Sequence, residues 1–219
     1  MDSGITCFKE EARDIHKFYP ELTYFESPEG IPYISGELKL NDDHGFYIDS
    51  YFIRIVPIQA YPYRFPYVFE TGRRIPVNID WHVFSDGHCC FKSIPEETIL
   101  CKQGITLLWF IEQQVKPYFY NQKYREMNGY FLHERSHGKA GNLEFFRDVF
   151  KTNDLTKILQ GLMFIKGRKE PDRVSKCFCG SGIKYRKCHR ETFRSLSKFT
   201  DEELDMYTNW IIDLPGFKI

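Results

Sequence analysis

Tyr61-Pro62-Tyr63-Arg64-Phe65-Pro66-Tyr67-Val68-Phe69 is the stretch on which the fold turns. Proline has no N–H to give a β-ladder, so Pro62 and Pro66 cannot both sit in a central strand. The stretch reads as a rigid extended turn feeding a short strand over Tyr67–Glu70. Upstream, Tyr33–Leu40 and Phe46–Val56 read as strands, the second rich in aromatic and β-branched residues. Pro28, Gly30 and Asn41-Asp42-Asp43 punctuate them. Before these, Phe8, Ala12, Ile15 and Tyr19 recur on one helical face. Residues 6–19 are therefore expected as a helix, capped by Thr6 and ended by Pro20.

Downstream, residues 71–104 show no periodicity and read as a long irregular stretch of the kind that carries function. Leu107, Leu108, Ile111 and Val115 mark a helix over 105–116, which Pro117 is expected to stop. A second irregular stretch covers 118–141. Helical pattern returns over 142–150 and 154–166. In the latter, Leu155, Ile158, Leu159, Leu162 and Ile165 form a stripe and Asp154 is the cap. Residues 166–176 read as a linker. Thr200-x-x-Glu203 is a capping box opening a last helix with Leu204, Tyr207, Trp210 and Ile211. The order gives an α+β fold, an antiparallel sheet covered by helices.

Of 219 residues, 42% are hydrophobic, enough for a real core, and mean hydropathy is −0.45. No apolar run approaches the roughly 20 residues of a membrane span. The opening MDSGITCFKEEARD lacks the basic start and apolar run of a signal peptide, so a cytoplasmic protein with no membrane partner is expected. Lys plus Arg and Asp plus Glu are 30 each. Zero net charge argues against a dedicated nucleic-acid binder, although residues 166–194 are locally basic. Seven cysteines, an odd number, argue against a disulfide framework and for metal binding or thiol chemistry.

Cys177-Phe-Cys179-Gly-Ser-Gly-Ile-Lys-Tyr-Arg-Lys-Cys188-His189 supplies four zinc-type ligands in thirteen residues. The Cys-x-Cys pair offers two from one turn, Gly180 and Gly182 let the backbone fold back, and Cys188 and His189 close the set. All four positions come from protein, which is the pattern of one closed, structural Zn2+ site. The segment resembles the SEC-C motif, the zinc-binding module at the C-terminus of the SecA translocation motor and of many other bacterial proteins. The resemblance implies an accessory module, here 177–219 with the last helix, that docks on a protein or a ribosome. Lys184, Arg186, Lys187 and Arg190 would form its basic face.

A second cluster lies in Asp80-Trp81-His82-Val-Phe-Ser-Asp86-Gly87-His88-Cys89-Cys90-Phe91. Adjacent cysteines serve one tetrahedral ion poorly. A nucleophile is the stronger reading: a cysteine on an irregular loop beside a histidine can be held as a partial thiolate. With the Pro-rich approach Tyr61–Val68, the loop histidine His82, the step Gly87-x-x-Cys90 and the helix at 105–116, the chain resembles the ubiquitin-conjugating enzymes, in particular their bacterial relatives. The resemblance implies a UBC-like four-stranded antiparallel meander with flanking helices over residues 1–165. It selects Cys90 over Cys89 as the catalytic cysteine, with His82 ordering the loop. Cys101, in the same irregular stretch, is the fallback nucleophile. The family's His-Pro-Asn is absent, since Val83 and Phe84 follow His82, and the spacing to cysteine is two residues shorter. His133 or His137 could supply the missing donor.

The implied chemistry is acyl transfer. An activating enzyme passes the carboxyl of a ubiquitin-like modifier to Cys90 as a thioester, and a target lysine takes it. The resemblance also implies an anti-phage operon, in some of which the protein conjugated is a cGAS-like nucleotidyltransferase. Two other readings stand beside this one: an inert UBC/RWD-like adaptor that binds partner proteins, and a cysteine peptidase using Cys90 with His133 or His137 to process a modifier.

Overall fold

The computed structural model describes residues 3–214. The first two residues of the expected 1–165 domain and the last five of the 177–219 module lie outside them. In chain order the helices and strands are α1 (Ser3–Asp14), β1 (Leu22–Glu26), β2 (Pro32–Asn41), β3 (Tyr47–Val56), β4 (Tyr67–Glu70), α2 (Ile94–Cys101), α3 (Leu107–Phe110), α4 (Lys116–Asn128), α5 (Gly138–Phe150), α6 (Leu155–Lys166), α7 (Arg190–Leu196) and α8 (Asp201–Ile212). The fold is α+β with one four-stranded antiparallel sheet. No described helix is long and apolar enough to cross a membrane.

The chain forms two compact units. One comprises the residues up to Lys92 with Gln103–Arg135, the other Ser93–Lys102 with the residues from Ser136 on. Compactness thus groups the chain differently from the expected 1–165, 166–176 and 177–219. The reason is apolar packing: Phe146 and Phe150 of α5 and Ile158, Leu162 and Ile165 of α6 share one buried cluster with Cys177, Tyr185 and Phe193. Nor is the expected linker loose. Arg168 donates to the carbonyls of Ser197 and Phe199, both at 2.7 Å, and Glu170 accepts from Arg194 at 2.9 Å.

In the first unit the strands run in the order β1-β2-β3-β4. Register sets Ile34 opposite Ile55 and Leu38 opposite Tyr51. Period-2 alternation therefore buries Leu22, Ile34, Leu38, Leu40, Tyr51, Ile53, Ile55 and Val68 on one face. Helices α1 and α4 pack on β2, and the Phe119 ring meets Tyr51 at 4.6 Å. The α1 face Phe8 and Ala12, continued by Ile15 in a following 3-10 turn (Ile15–Lys17), is buried as the periodicity requires. The helix starts three residues before Thr6, however. A side chain at Gly4 would meet the carbonyl oxygens of Gln59 and Tyr61 at 2.4 Å. Tertiary packing on this glycine holds a first turn that local capping alone does not specify.

The helix expected to stop at Pro117 continues to Asn128. Between α3 and α4 lies a π turn, Ile111–Val115, and Pro117 falls in the first turn of α4. A π turn already breaks the i→i−4 ladder, so the N–H that proline lacks is not missed there. Burial at Leu107, Ile111, Val115 and Phe119 recurs every four residues. In pure α-helix that stripe drifts by about 40° per step, and the wider π turn takes up part of the drift.

In the second unit Asp154 caps α6, accepting from Thr156 N–H at 3.0 Å and Lys157 N–H at 3.3 Å. Thr200 and Glu203 form the expected capping box of α8. Leu204, Tyr207 and Ile211 are buried beneath it.

Candidate functional site

The loop from β4 to Cys90 is built from backbone hydrogen bonds. Val83 bridges Cys89 across a tight turn, in which Phe84 N–H donates to His88 C=O at 2.9 Å and Gly87 N–H to Phe84 C=O at 2.8 Å. Gly87 has φ 93, a left-handed value that glycine adopts freely. The turn hangs from the sheet edge: Phe69 bridges His88, and Cys89 N–H donates to Val68 C=O at 2.8 Å.

That attachment separates the two cysteines. Cys89 is 3% exposed, and burial pushes its thiol up to about 12. Cys90 is half-buried, and its N–H donates to His82 C=O at 2.7 Å. A His82 ring nitrogen and the Cys90 sulfur lie within 4.8 Å of each other. His82 ends a 3-10 turn (Ile79–Trp81) in left-handed backbone, φ 54 and ψ 39. For a non-glycine residue that conformation costs about 1–3 kcal/mol and persists only where surroundings impose it. Its ring packs edge-on against Phe131, centroids 4.8 Å apart. The surroundings that impose the loop come from α4: Tyr118 hydroxyl donates to His82 C=O at 3.0 Å, Gln122 Nε2 to Trp81 C=O at 2.7 Å, and Arg125 to Asp80 C=O. Chemically this is a partly accessible thiol beside an imidazole on a rigid loop.

The remaining histidine and cysteine candidates are His133, His137 and Cys101. His133 is exposed, and its carbonyl accepts from Asn121 at 2.8 Å. His137 belongs to the second unit and directly precedes α5. Cys101 ends α2 in the second unit and is completely buried, which removes it as a nucleophile open to a protein substrate. Tyr118, Gln122 and Arg125 lie beyond Pro117, the expected end of the helix, and are not among the residues the sequence points to. Their spacing of four and three residues was the available signal.

The second cluster lies wholly in the second unit. Cys177, Cys179, Cys188 and His189 hold their ligand atoms within 4.8 Å of one another. The Cys177 sulfur is 3.4 Å and the Cys188 sulfur 3.2 Å from His189 Nδ1, and the sulfurs of Cys179 and Cys188 are 3.6 Å apart. Tetrahedral zinc, with bonds of about 2.3 Å to sulfur and 2.0 Å to nitrogen, sets such edges at roughly 3.5–3.8 Å. The far side of the histidine decides which nitrogen faces the sulfurs. Its Nε2 lies 2.9 Å from Phe150 C=O, so Nε2 carries the proton and Nδ1 keeps its lone pair for a metal. Burial pushes the Cys177 thiol up to about 11. Cys179 is also partly buried, but hydrogen bonds with Ser181 and with the Cys188 and Cys177 thiols bring it down to about 6. The donor set and its geometry are compatible with a zinc site, with no position left open for substrate. Backbone curvature comes from Gly180 and Gly182, with φ 77 and 74, as expected from the sequence.

No curated protein matches the chain. The match that is found is local: the family model of the SEC-C motif covers residues 175–191, the stretch that carries all four side chains of the cluster.

Proposed function

We propose that the first unit is a ubiquitin-conjugating-like transferase that carries a modifier protein on Cys90. The supporting observation is the contrast between neighbouring cysteines. Cys90 is half-buried beside His82 on a loop anchored to the last strand of a four-stranded meander, whereas Cys89 is buried and held protonated. The helix, meander, loop and helix of this unit follow the order of the ubiquitin-conjugating fold. In the reaction the Cys90 thiolate attacks the modifier's carboxyl carbon in its thioester with an activating enzyme. The new C–S bond forms, the old one breaks, and the activating enzyme's thiolate leaves. A target lysine amine then attacks, the Cys90 C–S bond breaks, and the nitrogen loses its proton to solvent. Thiolate is a good leaving group, so the protein's contribution is positioning and stabilisation of the developing oxyanion. His82, whose ring nitrogen lies within 4.8 Å of the Cys90 sulfur, orders the loop.

Cys177, Cys179, Cys188 and His189 would hold one structural zinc, which folds the docking module and takes no part in the transfer. The test is intact mass spectrometry after incubation with an activating enzyme and a candidate modifier, ubiquitin-like or a cGAS-like nucleotidyltransferase. A reductant-sensitive adduct is expected, lost in Cys90→Ala and kept in Cys89→Ala. An adduct that survives Cys90→Ala overturns the reading. The adaptor reading draws support from the sheet's outer face, where Phe25, Phe52 and Tyr67 are exposed. Partner binding that is unchanged in Cys90→Ser, without any adduct in the parent chain, would favour it.

A further inference from the structure

We infer that Tyr118, Gln122 and Arg125 form a positioning clamp: one face of α4 fixes Cys90 by holding three successive carbonyls of the loop before it. The inference rests on the reading of Cys90 as nucleophile.

Residues 118, 122 and 125 follow i, i+4, i+7 spacing, so their side chains leave α4 as a single stripe. The stripe meets three consecutive carbonyls, those of Asp80, Trp81 and His82. Successive carbonyls of an extended chain point to opposite sides. Here the 3-10 turn Ile79–Trp81 and the left-handed backbone of His82 aim all three at one helix. Arg125 is held in turn, its guanidinium 4.0 Å over the Trp81 ring and 4.5 Å over that of Phe131. Gln122 is only 1% exposed, and its buried Nε2 has its partner in the Trp81 carbonyl.

A helical turn leaves its last carbonyls unsatisfied, and capping them would by itself be a structural role. One detail goes further. His82 C=O accepts both the Tyr118 hydroxyl and the N–H of Cys90. The clamp and the nucleophile share an acceptor, so the position of that carbonyl sets the Cys90 backbone and the direction of its Cα–Cβ bond. The left-handed geometry of His82 is what the clamp maintains.

The test uses the full chain with the variants Tyr118→Phe, Gln122→Met, Arg125→Gln and Arg125→Lys. Tyr118→Phe keeps the ring and loses only the donor, so it stays informative if the others fail to fold. Amide hydrogen exchange at Cys90 is measured together with kcat and KM for thioester formation. With native circular dichroism, Tyr118→Phe should exchange the Cys90 amide about tenfold faster. It should lose about tenfold or more in kcat with KM unchanged, as small misplacements of reacting groups do. Wild-type exchange at Cys90, or faster exchange with unchanged kcat, overturns the clamp. Arg125→Lys, which keeps a charged donor, should recover more of kcat than Arg125→Gln. Equal loss in both counts against it. The Cys90→Ala control separates the two ideas. If the adduct depends on Cys90 and Tyr118→Phe turns over normally, the clamp alone fails. An adduct formed without Cys90 overturns the nucleophile reading and the catalytic part of the clamp with it.

Discussion

At the scale of single residues, two adjacent cysteines live in different solvents. Cys89 is tied by its N–H to Val68 and turned into the core, where desolvation disfavours its thiolate. Cys90 stays half-buried. Alkylation requires an accessible thiolate, and burial both hides Cys89 and disfavours its ionised form. Brief treatment of the native chain with iodoacetamide at pH 8 should therefore label Cys90 at least about tenfold faster than Cys89. Peptide mass spectrometry reads the ratio, and equal rates would mean that the loop opens readily. The spacing Gly87-x-x-Cys90 could be read from the sequence. The burial of its neighbour could not, because it depends on a bond to a strand distant along the chain. The same distinction separates the caps. Asp154 and the pair Thr200 and Glu203 act within one turn and were legible. The start of α1 depends on Gly4 against Gln59 and Tyr61, and was not.

At the scale of elements, one arginine ties a strand to a helix. Arg74, in the loop after β4, donates to both carboxylate oxygens of Asp49 on β3, at 2.8 and 2.6 Å, and to both of Glu126 on α4, also at 2.8 and 2.6 Å. Its guanidinium lies 4.4 Å over the Tyr51 ring. The Asp49 side chain is 15% exposed, and the Arg74 hydrogen bonds hold its carboxyl well below the usual carboxylate range. A folded-state pKa below the unfolded value means that this stabilisation is complete above about pH 4, the unfolded Asp value, and drains away as pH falls further. Arg74→Met keeps the stem on Tyr51 and removes the charge. It should cost about 2 kcal/mol near pH 7, less than a fully buried pair because the group is partly exposed. The variant should also flatten the acid limb of the stability curve. Urea unfolding at pH 7 and pH 3 checks both, and an equal loss at the two pH values would assign the effect to packing. Sequence pattern made β2 and β3 legible, since each buries alternate residues, and the Pro-rich approach marked β4, in which only Val68 is buried. Of the five residues in β1 only Leu22 is buried, too little for a pattern. Helix α2 was missed although Ser93-Ile94-Pro95-Glu96-Glu97 carries a start signal, with proline and acidic residues in the first turn. Its apolar stripe was too short to draw notice.

At the scale of the whole chain, the cysteine module is part of a larger core. His189 donates through Nε2 to Phe150 C=O, and Thr192 donates to Val149 C=O at 2.6 Å, so the module caps the last carbonyls of α5. The Phe178 ring, between two ligand cysteines, stacks on Phe164 of α6 with centroids 4.5 Å apart. Cys177 and Tyr185 sit in the same buried cluster as Phe146, Ile158 and Leu204. The four ligands were legible because they lie in one short run of sequence. Their coupling to α5 and α6 was not, because it passes through backbone carbonyls that carry no signature. A metal holding these four residues would contribute its binding free energy to folding of the second unit as a whole, on the order of 10 kcal/mol for a structural zinc. Chelation should therefore raise amide exchange across α5, α6, α7, α8 and α2, well beyond residues 175–191, while β1 to β4 keep their protection. His189→Ala should do the same even with zinc present, because it removes a ligand and a cap of α5 together. Exchange that rises only within 175–191 after chelation would show that the α5 and α6 core stands without the metal, and that the module is the small independent appendage its sequence suggests.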